Sequence, residues 1–242
     1  MECGLSLSEN LSEEKMKKIE AVIFDLDGVI TDTAEYHYLA WKQLGEELGI
    51  PFDRGFNEKL KGVGRLDSLE LILQHGNRQE EFSVEEKEGL ANKKNQHYVE
   101  LIKQVTPSDL LPNMLTFIKE LKGAGIKIAM ASASKNAFAV TQSLGVMEYF
   151  DHIVDAGTVK NSKPDPEVFL KAADAIGVLP EYCMGIEDAK AGVRAILDAG
   201  MFAVAIGDEK MLGDANVVYS STKELSLKGL EKQQLCFEKG KV

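Results

Sequence analysis

Cysteine is scarce in this sequence: Cys3, Cys183 and Cys236 are the only three in 242 residues. An odd number at long spacings fits neither a disulfide framework nor a tetrahedral zinc site, and it points to a reducing compartment. Positive charge is in short supply too. Lys and Arg total 28 against 39 Asp and Glu, a net charge of −11. An evenly acidic chain lacks the basic footprint that nucleic acid or an anionic membrane requires, and the excess serves solubility. No apolar run approaches the roughly eighteen residues of a membrane-spanning helix. The opening segment MECGLSLSENLSEEKMKK has no apolar stretch of the signal-peptide kind and carries four acids. Repeats and low-complexity segments are absent as well. The expectation is a cytoplasmic monomer with no nucleic-acid or membrane partner. Residues 1–17 are expected to form a flexible extension, with a short helix from Ser12 as the alternative.

What is present is ordinary globular material. At 44% hydrophobic residues, the chain can build one generous core, or one domain with a smaller one inserted. Ile19 to Phe24 is short and mostly apolar without alternation after Glu20, the pattern of a central parallel strand covered on both faces. A long stretch without strands follows. Asp32 with Glu35 three residues on reads as a capping box. Tyr36, Leu39, Ala40, Leu44 and Leu48 then form a helical stripe that ends near Gly49-Ile50-Pro51. Further helices are predicted over 67–74 and 84–103. Beyond Thr106-Pro107 helices and strands alternate, with strands at 126–131, 152–155, 183–186, 202–206 and 217–219. Helices are predicted over 115–122, 137–144, 166–176 and 189–199, and the tail after Lys223 reads as a weak helix. This is the signature of an α/β fold with a doubly wound, Rossmann-like parallel sheet. The first strand can be buried only within that sheet. The domain boundaries therefore become 18–31 plus 107–242 for the core and 32–106 for an inserted α-helical cap.

In open α/β sheets ligands bind beyond the carboxyl ends of the strands. That rule selects Asp25-Leu26-Asp27-Gly28, Ser132-Ala133-Ser134-Lys135-Asn136, Lys163 and Glu187-Asp188. Carboxylates that converge at one place repel unless a cation lies among them, and an all-oxygen donor set without His or Cys favours Mg²⁺. Asp25 and Asp27 can both face one crevice only if the backbone bends, which Gly28 permits. Lys163, Ser132 and the amides near Ser134 make an anion site. A metal beside an anion site is the layout of phosphoryl transfer, in which an Asp can act as nucleophile. Each piece alone has a plainer reading: a turn, a loop, or a helix start with dipole complement. Their succession at consecutive strand ends carries the functional reading.

With these residues in place, FDLDGVITDT, the Ser after the second strand, Lys163-Pro164 and the acidic pair resemble the haloacid dehalogenase superfamily. DTAEYHYLAWK, LKGVGR, NKKNQHYV, ASASKN and SKPDPEVF resemble the β-phosphoglucomutase family more closely. The resemblance covers Lys18 to about Tyr219. It implies a Rossmann-like core with a helical cap. It also implies interconversion of β-D-glucose 1-phosphate and glucose 6-phosphate, with β-glucose 1,6-bisphosphate as the activating intermediate. Asp25 would be the phosphorylated nucleophile and Asp27 the general acid/base. Mg²⁺ would be held by Asp25, the Asp27 backbone carbonyl and Asp188, with Glu187 at or behind the metal. Ser132, Ala133 and Lys163 would hold the transferring phosphoryl group, and Arg65, Ser134, Lys135 and Asn136 the sugar's other phosphate. Thr33, His37, Trp41, Gly62, Val63, Ser68 and Lys94 would position the sugar and Asp27.

The residues themselves support part of this. Thr33, His37 and Trp41 are spaced i,i+4 and share one helix face, which can be a polar-aromatic sugar face or plain core. Arg65 suits bidentate phosphate binding better than Lys61. Gly64 departs from the family's usual Ser, leaving that loop with fewer polar contacts. A sugar-phosphate phosphatase of the same superfamily is the alternative, and a non-catalytic phosphate-binding protein is the alternative of another class. The latter would be expected to have lost Asp25 or Lys163.

Overall fold

The computed structural model describes residues 18–240; the expectation for residues 1–17 lies outside them. Strands β1 (Ala21–Phe24), β2 (Lys127–Met130), β3 (His152–Ile153), β4 (Cys183–Glu187), β5 (Phe202–Ile206) and β6 (Val217–Tyr219) form one sheet in the order β3-β2-β1-β4-β5-β6, with every pair parallel. The order reverses at β1, so the crevice beyond its carboxyl end is the topological switch point. Phe24 pairs with both Met130 and Ile186. Asp25, Ala131 and Glu187 therefore leave the sheet at one level.

Alternate residues of β1 serve opposite layers, as the strand's period of two requires. Val22 and Phe24 pack with Phe117, Ile118 and Leu121 of α5 (Met114–Gly123), Val140 of α6 (Ala137–Ser143) and Leu230 of α10 (Leu227–Glu238). Ala21 and Ile23 face Val168, Phe169 and Ala172 of α7 (Glu167–Ala175) and Val193 and Ile196 of α8 (Lys190–Asp198). That two-sided burial explains why β1 shows no polar alternation.

Between β1 and α5 the chain forms α1 (Ala34–Leu48), α2 (Arg54–Asn57), α3 (Arg65–His75) and α4 (Val84–Leu101). This helical unit has its own apolar cluster, which includes Trp41, Leu44, Leu69, Ile72 and Leu73. Ser83 opens α4 with a reciprocal capping box to Glu86, which fixes the start of a helix whose sequence is too charged to bury a broad face.

Several expectations are corrected. Asp32 and Glu35 do not form a capping box: Thr33 occupies the N-cap without a side-chain bond, and Glu35 instead pairs with Arg54 at 2.6 and 2.8 Å. A tertiary partner outcompeted the local one. The short helices α2 and α9 (Glu209–Leu212) span too few residues to show a period in the sequence. The tail, in contrast, is the expected helix, twelve residues long and stabilised by burial of Leu230. Cys183 is a free, buried thiol. Among the described residues no helix is long and apolar enough to cross a membrane.

Candidate active site

Beyond β1, the turn Asp25-Leu26-Asp27-Gly28 sends its two acids different ways. Gly28 sits at φ 75°, and a Cβ there would lie 2.2 Å from Asp188 Oδ2. Only glycine satisfies both the left-handed backbone and the close approach. Asp25 stays with the β4 acids: ligand atoms of Asp25, Glu187 and Asp188 lie within 4.8 Å of one another. Asp27 turns toward the helical unit, where Thr33 Oγ1 donates to its Oδ1 and His37 Nε2 lies 3.9 Å from its Oδ2.

Lys163 balances the buried acids. Its ammonium donates to Asp25 Oδ1 at 2.7 Å and Glu187 Oε1 at 2.6 Å. Glu187 Oε2 accepts the backbone N–H groups of Asp188 and Ala189, each at 2.8 Å. Burial pulls the Lys163 ammonium toward neutrality, but Asp25 and Glu187 outweigh it and its pKa is raised. Burial, only partly offset by Lys163, lifts Asp25 to about 6. Asp188 is raised well above the carboxylate range by burial, then by Glu187 and Asp25. One ammonium among three carboxylates leaves an excess of two negative charges. An all-oxygen cluster with that excess fits a hard divalent cation such as Mg²⁺.

The opposite wall is the loop after β2. Ser132 is buried, and its Oγ accepts the Ser134 N–H at 3.1 Å. The amides near Ser134 do not open a helix, since α6 begins only at Ala137. Asn136 Nδ2 donates to Asn95 Oδ1 of α4 at 2.8 Å, a direct link between the two units.

From the helical unit, Lys94 Nζ donates to His37 Nδ1 at 2.7 Å and lies 4.6 Å from the Trp41 ring centroid. Burial, then Lys94 and Arg65, hold His37 well below its ordinary pKa. The ring is therefore neutral and accepts at Nδ1, which leaves its Nε2–H toward Asp27. Burial, then Arg65, lowers Lys94 to about 7. Asp27 is raised to about 8 by burial, then by Asp25. Acids with unlike environments two residues apart can divide nucleophile and proton-transfer roles.

All these groups surround one cavity between the sheet's carboxyl end and the helical unit. Asp25, Asp27, His37, Trp41, Gly62, Val63, Arg65, Ser68, Lys94, Ser132, Ala133, Ser134, Lys135, Asn136 and Asp188 line it. Thr33, Lys163 and Glu187 stand directly behind that lining, through bonds to Asp27, to Asp25 and between themselves. Trp41 belongs both to the cavity wall and to the helical unit's core, so the two readings of the Thr33–His37–Trp41 face hold together. Gly62 approaches the core, its would-be Cβ lying 3.7 Å from Lys163 Cδ. A Cβ at Gly64 would lie 2.2 Å from Ser162 Oγ, so the departure at 64 permits a close seat on the loop that carries Lys163. Sequence reasoning missed Tyr98, which stacks on His37 with ring centroids 4.0 Å apart. Its one sequence signal is the i,i+4 spacing from Lys94.

A switch-point crevice holding an Asp-Lys-Glu-Asp cluster under a helical insertion defines a class of phosphoryl-transfer enzymes, and the chain belongs to the haloacid dehalogenase-like hydrolase family, whose model matches residues 19–200. Within that class it is similar to β-phosphoglucomutases. It is 47% identical to that of Bacillus subtilis, over 89% of this chain and 95% of the relative. The crystal structure of β-phosphoglucomutase from Clostridium difficile superposes with a TM-score of 0.89 at 48% identity, covering 91% of this chain and 99% of the other. A phosphorylated carbohydrates phosphatase of Thermotoga maritima is 31% identical, over 83% of this chain and 93% of the relative.

Proposed function

We propose that the chain is a β-phosphoglucomutase, an isomerase that interconverts β-D-glucose 1-phosphate and glucose 6-phosphate through β-glucose 1,6-bisphosphate. The observation that carries this reading is the division of labour around the cavity. Asp25 lies beside Lys163 and the β4 acids, while Asp27 is turned to the sugar side under Thr33 and His37. In each half-reaction an Asp25 carboxylate oxygen exchanges a bond to phosphorus with a sugar oxygen. When the sugar hydroxyl attacks the aspartyl phosphate, its proton passes to Asp27 and the Asp25–phosphorus bond breaks, restoring the carboxylate. In reverse, Asp27 returns the proton to the departing oxygen. Lys163, Ser132 and Ala133 hold the moving phosphoryl group. Arg65, Ser134, Lys135 and Asn136 hold the other phosphate, and Gly62, Val63, Ser68, Lys94, His37 and Trp41 the sugar.

Mg²⁺ held by Asp25, Asp188 and Glu187, with the Asp27 carbonyl, would neutralise charge on the phosphoryl oxygens. Residues 32–106 act as a cap over the core of 18–31 and 107–242, and its closure excludes water, so that sugar is the preferred acceptor. A phosphatase would use the same Asp25, Lys163 and Asp188, and the Thermotoga relative keeps that reading in view.

One assay separates them. β-Glucose 1-phosphate with Mg²⁺ and a trace of the bisphosphate yields glucose 6-phosphate, with little free phosphate. Stoichiometric free phosphate without glucose 6-phosphate makes the chain a phosphatase. Asp25→Asn abolishes both phosphoenzyme and turnover.

A further inference from the structure

Tyr98 lies on α4, yet it is fully buried and belongs to the apolar cluster of the sheet domain, with Phe24 and Ile30, not to that of the helical unit. Its hydroxyl donates to Thr33 Oγ1 at 3.2 Å. The Thr33 hydroxyl has one proton. If it accepts from Tyr98, its proton is directed to Asp27 Oδ1, leaving Oδ2 as the oxygen nearest His37 and the cavity. The phenol ring itself is held in place by stacking on His37, with centroids 4.0 Å apart.

We propose that Tyr98 is a positioning residue for Asp27: its hydroxyl sets the direction of the Thr33 hydrogen bond and so fixes which Asp27 carboxylate oxygen meets the sugar. This rests on the mutase reading, since it assigns the oxygen that takes and returns the sugar proton. The alternative role for Tyr98, plain packing, depends on its ring, and Tyr98→Phe keeps the ring.

Steady-state kinetics of Tyr98→Phe, Thr33→Val and the double variant test this in the full-length chain with Mg²⁺. Tyr98→Phe lowers kcat for glucose 6-phosphate formation about tenfold or more, a share of what general acid–base catalysis contributes. KM and the thermal unfolding midpoint stay near the parent's. In the Thr33→Val background, Tyr98→Phe has no further effect, because the relay is already cut and the two changes are non-additive. A parent that makes glucose 6-phosphate while Tyr98→Phe matches it in kcat overturns this inference alone. So does a Tyr98→Phe loss that multiplies fully with that of Thr33→Val. A parent that makes no glucose 6-phosphate overturns the mutase reading, and this inference with it.

Discussion

An ammonium with 1% of its side chain exposed, held 2.7 and 2.6 Å from two carboxylates, is the one positive charge that offsets them. Removing one partner from a buried ion pair leaves uncompensated charge, which costs about 3–5 kcal/mol. Lys163→Met is therefore expected to lower the stability of the metal-free protein by about 3 kcal/mol in urea unfolding. Saturating Mg²⁺ should recover part of that loss, and phosphoryl transfer should still slow by at least about a hundredfold. Asp27 gives a pH prediction. Its pKa is about 8 against 3.8 for an ordinary Asp, so the folded protein retains a proton that the unfolded chain sheds. The stability from this group is complete below the unfolded value and is lost as pH rises through about 8. Between pH 5 and 8 the metal-free parent should lose at least about 1.4 kcal/mol relative to Asp27→Asn, the worth of a single pKa unit. An equal change in unfolding free energy between the two pH values for the parent and Asp27→Asn, read from denaturant titrations, would contradict the shift.

Elements act here through what their backbones allow. Gly192 lies in α8, where alanine is favoured over glycine by about 1 kcal/mol on propensity alone. A Cβ there, however, would lie 1.8 Å from Glu187 Oε1, the atom that accepts from Lys163. Overpacking costs about 1–3 kcal/mol, so sterics win. Gly192→Ala should be destabilised and lose more than about tenfold in kcat by displacing a buried carboxylate. Gly89, in α4, has nothing within 4 Å of its would-be Cβ. Gly89→Ala should gain about 0.5–1 kcal/mol with unchanged activity, and thermal unfolding of the two variants makes the comparison. The elements most readable from sequence were the strands, because burial on both faces leaves an uninterrupted apolar run. α2 and α9, at four residues each, and the failed Asp32–Glu35 box were unreadable. Their outcome depends on partners such as Arg54, nineteen positions away.

At the scale of the molecule, the helical unit meets the core through Asn95–Asn136 and the approach of Gly64 to Ser162. A bulky residue at 64 must hold the two units apart. Gly64→Val is accordingly expected to raise the ratio of free phosphate to glucose 6-phosphate several-fold, while the phosphoenzyme still forms. A ratio unchanged from the parent would show that this seat does not control water entry.

The sequence by itself determined the succession of strands along the chain and the identity of the groups at their carboxyl ends. Both follow from local periodicity and from the rule that open sheets bind ligands there. Asp25, Lys163, Glu187 and Asp188 could thus be assembled in thought before any coordinates. Only the tertiary structure decided that Asp27 turns its back on Asp25, that Lys163 is shared between Asp25 and Glu187, and that Tyr98 closes the relay through Thr33. The physical reason is separation along the chain. The bond between Lys163 and Asp25 spans 138 residues and that between Tyr98 and Thr33 spans 65. Such contacts are set by sheet register and by how α4 packs beside α1, and no local pattern encodes either.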